Sequence, residues 1–458
     1  GDKMKASYNS IGQMIAEKWF DKLQNVTAFY KYVYDNNGNI VRSVDISGKK
    51  EYDYVYKDSK IVTATEYAIQ VDTSEMITSK TVVSAARYYY DGEDKLLKKI
   101  ITFANGKQSE IYYQHGENDA QTVKNIVNGK PVTSHSNTDS FGRKEFDELQ
   151  LGTKSVWRKF NYHAGEVTQE HISAEKVKST PTTQLVSKIE FSDGRELLYE
   201  YDAEERITKV IDKQQEVSTT TEYTYDALGQ LLEEKVNGET VNLMTYDTYG
   251  NIRTKNGVEY SYCDGIWKDK LTGVGEQTIT YDAQGNPISY LGHTLTWEKG
   301  RQLKSFDNIT YTYNANGIRT SKTVNGVKHE YILDGTKVLC EEWNGNTLIP
   351  MYDNEDSVCG IIYNDEPYYF TKNLQGDVIT VVDKNAQTVA KYSYDAWGVC
   401  DVTFDCTAIG IATINPYRYR SYYFDREIGL YYLQSRYYNA SVGLSLIHIS
   451  EPTRRTPI

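Results

Sequence analysis

The chain has 458 residues and a net charge of −12, with 41 Tyr but only 8 Pro. An acidic chain without a basic block argues against nucleic acid as its main partner, and no apolar run approaches the ~20 residues of a membrane-spanning helix. Charged residues make up 25% of the chain, an average share that argues against disorder. Aliphatic residues are few, so Tyr must supply much of the buried area.

A short motif, Tyr-x-Tyr-Asp-x-x-Gly, recurs along the chain. Because side chains alternate along a strand, its two Tyr rings lie on one face. Asp then starts a tight turn in which its carboxylate accepts backbone N–H groups, and Gly takes a conformation that other residues resist. Each copy therefore predicts a β-hairpin. One hairpin alone is marginal, so neighbouring hairpins are expected to pair into a continuous sheet.

Six copies are clear enough to name as structural repeat residues. In chain order they are Tyr34, Asp35, Gly38; Tyr225, Asp226, Gly229; Tyr246, Asp247, Gly250; Tyr281, Asp282, Gly285; Tyr313, Asn314, Gly317; and Tyr394, Asp395, Gly398. Asn314 preserves the turn chemistry of Asp, which indicates that the acid forms turns and does not act as a general acid. Degenerate copies begin at Asp91, Asp139 and Asp202.

Two stretches fit the hairpin pattern less well. Residues 11–25 space their apolar side chains so that a short helix competes with a hairpin. Residues 100–190 carry fewer Tyr-Asp units, and we interpret them as eroded or decorated repeats.

No pattern in the sequence indicates chemistry. The His residues lack metal-binding spacing, the five Cys lack a C-x-x-C pair, and no nucleophile elbow or phosphate-binding loop occurs. The run Asp35-x-Asn37-x-Asn39 is only faintly like a calcium loop, because Gly stands at position four and no Glu closes the loop. We therefore predict no catalytic residue, no cofactor and no metal.

The segment 415–438 differs from the repeats. It holds eight Tyr in 24 residues, with Arg interleaved, so it can bury aromatic area while its polar groups find partners. We predict that it closes the array of hairpins. Its candidate residues are Pro416, Arg418, Tyr419, Tyr423, Asp425, Gly429, Leu430, Tyr431, Tyr432, Arg436, Tyr437 and Tyr438.

The repeats and this segment together resemble the Rhs/YD-repeat family, whose members end their repeats in an Rhs-associated core. The family pattern is N-P-[FY]-R-Y-x-G-x-Y-x-D-x-E-[TS]-G-L-Y-Y-L-x-x-R-Y-Y, from which Ser421 and Ile428 depart. Asn373-Leu374-Gln375-Gly376-Asp377-Val378 also matches a family signature leading into the core. The resemblance implies an all-β fold, a spiralling sheet that forms a hollow shell (1–371, degenerate around 100–190), capped by the core (372–443).

By the same resemblance, the function is non-enzymatic: the shell encapsulates the protein's own C-terminal polymorphic toxin for delivery to competing bacteria. The toxin and the self-cleavage element of the family lie downstream of the core and are missing here. The resemblance also implies an immunity protein and secretion or cell-wall components as further partners. It implies that the protein is secreted or located on the bacterial cell surface or in the cell wall. The residues of these motifs are most similar to those of wall-associated members of the family. A carbohydrate-binding or adhesion module built from aromatic strands remains the alternative.

The two ends of the chain also differ from the repeats. The chain opens Gly-Asp-Lys, so we expect a fragment of a longer protein. Residues 444–458 abandon the family pattern and resemble a translated sequencing adapter, so we expect them to be an artefact.

Overall fold

The computed structural model describes residues 2–115, 121–127, 129–164, 168–172, 175–179 and 182–446. Nearly all of this chain is strand, and the strands are short and joined by tight turns. The turns contain Asp, Asn and Gly, which favour tight turns, and the segments between them contain Tyr, Thr, Val and Ile, which favour strands. This distribution of residue types explains why strands and turns alternate along the chain.

The strands before the middle of the chain are β1 Lys3–Tyr8, β2 Met14–Phe20, β3 Val26–Tyr34, β4 Ile40–Asp45, β5 Lys50–Lys57, β6 Lys60–Val71, β7 Ile77–Tyr90, β8 Leu96–Phe103, β9 Gln108–His115, β10 Gln121–Val127, β11 Lys130–Thr138, β12 Lys144–Leu151, β13 Lys154–Ala164, β14 Thr168–Ile172, β15 Glu175–Ser179, β16 Thr182–Phe191, β17 Glu196–Tyr201, β18 Ile207–Gln214 and β19 Val217–Tyr225. The next strands are β20 Leu231–Val236, β21 Glu239–Tyr246, β22 Ile252–Lys255, β23 Val258–Ser261, β24 Gly273–Val274, β25 Gln277–Tyr281, β26 Pro287–Tyr290, β27 His293–Glu298, β28 Gln302–Phe306, β29 Ile309–Tyr313, β30 Arg319–Val324, β31 Val327–Asp334, β32 Lys337–Trp343, β33 Asn346–Tyr352, β34 Val358–Tyr363, β35 Glu366–Lys372, β36 Val378–Val382, β37 Thr388–Tyr394 and β38 Cys400–Asp405. A short helix, α1 Ile411–Ile414, and a 3₁₀ turn, Tyr419–Ser421, precede β39 Tyr423–Asp425, β40 Leu430–Tyr432, β41 Tyr437–Asn439 and β42 Leu444–Ser445.

Consecutive strands pair antiparallel in one long meander. Within the described residues, β1–β13 and β16–β38 form a sheet of 36 strands, while β39–β42 form a separate sheet of four. The hairpin β14–β15 is a separate insertion between β13 and β16, inside the stretch 100–190, parts of which lie outside the described residues. The predicted all-β architecture is confirmed.

The helical alternative for residues 11–25 is wrong. Residues Met14–Phe20 form a strand that pairs with β1 on one side and β3 on the other. Turns at Asn9 and Asp21 bracket this strand, and seven residues between two turns match a strand better than two turns of helix. Among the described residues, no helix has the length and apolar character needed to cross a membrane.

The long sheet spirals, so that later strands meet earlier ones. We call β3–β21 the first coil and β27–β38 the second. Four side-chain hydrogen bonds join the two coils, between residues that are 153 to 246 positions apart in the sequence. They are Tyr88 Oη to Asp334 Oδ1 (2.7 Å), Asn125 Nδ2 to Tyr352 O (3.0 Å), Arg158 Nη1 to Lys372 O (2.7 Å) and Asn242 Nδ2 to Asp395 Oδ2 (3.0 Å). The accumulated twist of a long antiparallel sheet produces such a return.

The middle of the second coil, from β32 to β36, is buried on both faces. Along β33, Ile349 and Met351 belong to a buried cluster with Ile101 and other first-coil residues, whereas Leu348 belongs to a cluster with the segment after β38. Alternate residues of one strand point to opposite faces. This middle part of the second coil therefore lies between the first coil and residues 411–446, which we call the closing segment.

Candidate functional site

The Tyr-Asp turns have one shared geometry, shown well by the turn between β3 and β4. The N–H groups of Asn37 and Asn39 each donate to Asp35 Oδ1 at 2.9 Å, and Gly38 has a φ of +88°. The Asn39 side-chain amide donates to the other carboxylate oxygen at 2.9 Å. These hydrogen bonds, that of Asn39 first, lower the pKa of Asp35. The carboxylate is thus occupied by its own turn.

The other named copies adopt the same turn. In each, the side-chain oxygen at the Asp position accepts N–H groups from residues two and four later, and the Gly has a positive φ: Asp226 with Gly229, Asp247 with Gly250, Asp282 with Gly285, Asn314 with Gly317, and Asp395 with Gly398. Within the described part of the chain, no cluster of His, Cys, Asp or Glu is arranged to hold a metal ion.

Several turns of this kind escaped the sequence pattern. They start at Asp21, Asp72, Asp353, Asn373 and Asp383, and the residues three positions later, all at positive φ, are Gln24, Glu75, Asp356, Gly376 and Ala386. Four of these five turns lack Gly at the fourth position. The signal that could have found them is Asp or Asn at the end of a strand, without the Gly requirement.

The Tyr directly before the Asp connects each hairpin to an earlier one. Its hydroxyl donates to a backbone carbonyl on the preceding strand or, for Tyr281, in the loop before β24: Tyr34 to Met14 O (2.8 Å), Tyr225 to Ile207 O (2.8 Å), Tyr246 to Leu231 O (2.8 Å), Tyr281 to Leu271 O (2.5 Å) and Tyr394 to Val378 O (2.7 Å). Tyr313 is different, because its hydroxyl lies 3.0 Å from that of Tyr437 in the closing segment. The second Tyr is therefore a clamp between repeats.

Removing one clamp has a measurable cost. We expect Tyr225→Phe to lower the free energy of unfolding by about 1 kcal/mol, because the carbonyl of Ile207 loses its hydroxyl partner while the ring stays in place. Denaturant titration would measure this loss. Tyr249→Phe is the matched control, since that side chain is 74% exposed. Equal denaturation midpoints for both variants and the wild type would show that the Tyr225 hydroxyl does not stabilise the sheet.

The closing segment is held by a buried cluster of charges around Asp425. Arg319 Nη1 and Lys322 Nζ both contact the Asp425 carboxylate, the latter at 3.0 Å, and Lys322 also reaches Glu427 at 3.1 Å. The side chains of Asp425 and Arg319 are 1% and 2% exposed. Burial raises the pKa of Asp425, but the two cations outweigh burial and hold that pKa below its usual value. Asp425 is therefore a fixed anion joining β39 to β30.

Aromatic rings surround this cluster. The Arg319 guanidinium lies 4.2 to 5.6 Å from the centroids of four rings, those of Tyr311, Tyr331, Tyr423 and Tyr432. The hydroxyl of Tyr423 donates to Glu341 at 2.9 Å. Desolvated cation–π contacts are favourable, so the rings help compensate the burial of the guanidinium.

The other predicted closing residues contact the sheet or each other. Tyr431 and Tyr438 donate to the carbonyls of Gly398 and Trp397 at 3.0 and 2.7 Å, and the hydroxyl of Tyr432 accepts the N–H of Arg319 at 3.0 Å. Arg418 donates to the carbonyl of Ala412 at 3.0 Å. The remaining members are placed as follows: Pro416 accepts the N–H of Phe424, Tyr419 packs on Tyr431, Gly429 has a φ of +67°, Leu430 and Tyr437 are buried, and Arg436 is half-buried.

Two further buried carboxylates, Glu234 and Asp377, also join the layers; Asp377 belongs to the family signature at 373–378, whereas no sequence pattern singled out Glu234. Glu234 of the first coil accepts the N–H of Ala396 with both oxygens, at 3.0 and 3.1 Å. Asp377 accepts the N–H of Arg420 in the closing segment at 2.7 Å. Burial raises the pKa of both carboxyls, although hydrogen bonds oppose this.

The raised pKa values of these two groups make their contribution to stability depend on pH. Because the folded protein binds their protons more tightly than the unfolded chain, their contribution is complete below the unfolded pKa of about 4 and is lost as pH rises through the raised folded pKa. We expect Glu234→Gln to gain stability relative to the wild type as pH increases. Melting temperatures of both proteins from acid to neutral pH would measure this. A difference independent of pH would contradict the prediction.

The sequence model of the Teneurin YD-shell family matches residues 132–447, well over half of the chain. The chain belongs to the YD-shell family. The resemblance to Rhs/YD-repeat proteins is thereby confirmed.

Curated relatives of this YD-shell chain are much longer. It is 36% identical over 242 residues to "tRNA3(Ser)-specific nuclease WapA" of Bacillus spizizenii, and 35% identical over 242 residues to "tRNA nuclease WapA" of Bacillus subtilis. Each alignment covers 48% of this chain and 10% of the relative. The alignments thus span about a tenth of these relatives.

A solved structure shares the YD-shell fold. The crystal structure of TcdB2-TccC3-Cdc42 superposes with a TM-score of 0.56 at 14% identity, covering 100% of this chain and 26% of that one. At this identity the match concerns the fold alone.

The end of the YD-shell chain lies partly inside the fold. Leu444 and Ser445 pair with Asn439 and Tyr438, and Leu446 is buried. Residues 447–458 lie outside the described residues, so the expectation that 444–458 are an adapter artefact stays a prediction.

Proposed function

We propose that this chain is the non-enzymatic shell of a polymorphic toxin, which encapsulates a toxin domain encoded after the closing segment and presents it for delivery to competing bacteria. The observation that carries the proposal is the closing segment itself. Buried ion pairs fix it to β30 in the second coil of the spiral sheet, an arrangement that suits a capped container.

The direction of the Tyr rings supports a containing role. The Tyr of the repeats point to the face on which the next coil or the closing segment packs, as with Tyr199 and Tyr392, which are buried. Consecutive hairpins clamped through Tyr hydroxyls resist local opening, because each depends on its neighbour.

The relatives suggest the class of cargo. Because WapA proteins are named as tRNA nucleases, we propose a toxin domain of that class, with an immunity protein that neutralises it. Secretion or cell-wall components would be further partners, and the setting would be secreted or on the bacterial surface. The shell itself contributes no catalysis in this proposal.

Protection of a passenger from protease tests encapsulation. An unstructured polypeptide fused to the end of the full chain should be digested several-fold more slowly than the same polypeptide fused to an unrelated folded protein. Asp425→Ala should restore digestion by loosening the closing segment. Equal digestion rates in the shell fusion and the unrelated fusion would overturn the proposal.

A glycan array separates the proposal from the alternative of a carbohydrate-binding or adhesion module. Stacking on sugars needs exposed aromatic faces, whereas Tyr199, Tyr311 and Tyr392 are buried. We expect no tight glycan binding by the chain, and tight binding would favour the alternative.

A further inference from the structure

A buried lysine connects the two coils at a place remote from the closing segment. Lys99 lies on β8 between its cross-strand partners Tyr88 and Ile111, and its side chain is 5% exposed. Its amino group contacts the carboxylate of Asp334, the last residue of β31. The two residues are 235 positions apart in the sequence, so the pair links the first coil to the second.

The surroundings of the Lys99 amino group favour its uncharged form. Its neighbour Ile111 belongs to a buried apolar cluster that also contains Ile332 of the second coil. Burial, and after it the charge of Lys337, lower the pKa of Lys99 to about 7, while Asp356 opposes this shift. A lysine desolvated in an apolar pocket is a nucleophile, because its nitrogen has a free lone pair once the proton has left.

The Asp334 carboxyl group is placed to react with this amine. Its Oδ2 contacts Lys99 Nζ, and its Oδ1 accepts a hydrogen bond from the hydroxyl of Tyr88 at 2.7 Å. A donor at Oδ1 stabilises the negative charge that this oxygen gains when a nucleophile attacks the carboxyl carbon. The side chain of Asp334 is 30% exposed, so a water molecule formed there has a path to solvent.

We propose that Lys99 and Asp334 condense into an intramolecular amide, an isopeptide bond that joins the first coil covalently to the second. Transfer of a proton from Lys99 Nζ to Asp334 Oδ2 gives an uncharged amine and an uncharged acid, which a site of low polarity favours. The nitrogen lone pair then attacks Asp334 Cγ and places negative charge on Oδ1. Oδ2 takes a second proton from the nitrogen, its bond to Cγ breaks, and it leaves as water. One ammonium and one carboxylate thus become one amide and one water, without any other reactant.

A second buried pair shows why contact between a lysine and a carboxylate is not sufficient. Lys322 contacts Asp425 at 3.0 Å, and both side chains are buried. Burial lowers the pKa of Lys322, but the charges of Asp425, Glu341 and Glu427 outweigh burial and hold that pKa above its usual value. Lys322 therefore keeps its proton and has no lone pair for attack, whereas Lys99 does.

Mass spectrometry of the unfolded full chain tests the bond. We expect the intact mass of the wild type to be lower than the mass calculated from its sequence by one water. Proteolysis should release the peptide of Lys99 joined to that of Asp334. Lys99→Arg should have its full calculated mass, because a guanidinium stays protonated and does not attack. Tyr88→Phe should form the bond about 100-fold more slowly, since loss of one oxyanion donor has an effect of that order.

Lys50→Arg is the matched control. Lys50 contacts Glu66 at 2.6 Å with side chains that are 19% and 4% exposed, but both residues lie in the first coil. This variant should lack one water, as the wild type does. A wild type with the full calculated mass, or the same loss of water in Lys99→Arg, would overturn the proposal. The bond forms whether or not the shell holds a passenger, so this result is independent of the protease test of encapsulation.

Discussion

Asp425→Ala should release the closing segment from the sheet. The change leaves Arg319 and Lys322 buried without their shared anion, and breaking a buried ion pair by removing one partner costs about 3–5 kcal/mol. We expect hydrogen exchange of the amides in β39, β40 and β41 to accelerate accordingly. Mass spectrometry of the exchanged peptides would report this change separately from the rest of the sheet.

A matched surface pair separates this effect from the loss of any ion pair. Glu330 contacts Lys328 at 2.5 Å, and their side chains are more than half exposed. Glu330→Ala should cost less than about 1 kcal/mol, because water screens exposed pairs. If exchange of the closing segment were equal in Asp425→Ala and Glu330→Ala, the buried cluster would not be what holds it.

Gly398→Ala should disturb the junction of sheet and closing segment through overpacking as well as backbone strain. Gly398 has a φ of +93°, and a Cβ there would lie 2.6 Å from the ring of Tyr419. The left-handed backbone costs about 1–2 kcal/mol and the overpacking about 1–3 kcal/mol, so we expect about 2–5 kcal/mol in total. Thermal unfolding and the near-ultraviolet Tyr signal would measure the loss of stability and of ring packing.

Gly142→Ala gives the backbone contribution alone. Gly142 occupies the same place in its turn with a φ of +75°, and a Cβ there would meet nothing within 4 Å. We expect a cost of about 1–2 kcal/mol and an unchanged Tyr signal. A Gly398→Ala variant as stable as Gly142→Ala would show that Tyr419 does not pack against this turn.

The repeat turns were predictable because their chemistry is local. The N–H of Gly38 donates to the Asp35 carbonyl, and the Asp35 carboxylate accepts the N–H groups of Asn37 and Asn39. These partners lie within five residues, so the sequence contains the whole turn. The turns at Asp72 and Asp353 were missed because Glu75 and Asp356 take the position where the pattern requires Gly. Their positive φ is sustained by the surrounding hairpin and not by the residue type.

The partners of the closing segment could not be predicted in the same way. Asp425 was identified as a candidate, but Arg319 lies 106 residues earlier and in no motif. Glu234 likewise resembled an ordinary strand residue until the second coil brought Ala396 against it. Alternation along a strand says which side chains share a face, but not which distant strand covers that face.

The sequence by itself determined that this chain is a succession of hairpins ending in an aromatic, Arg-containing segment, because turns and strand alternation depend on residues a few positions apart. Only the tertiary structure decided how far the sheet curls before one coil packs on the other. It also decided which distant residues contact Glu234 and Asp377, and which cations neutralise Asp425. These features depend on the twist accumulated over many strands, a quantity that no single repeat contains.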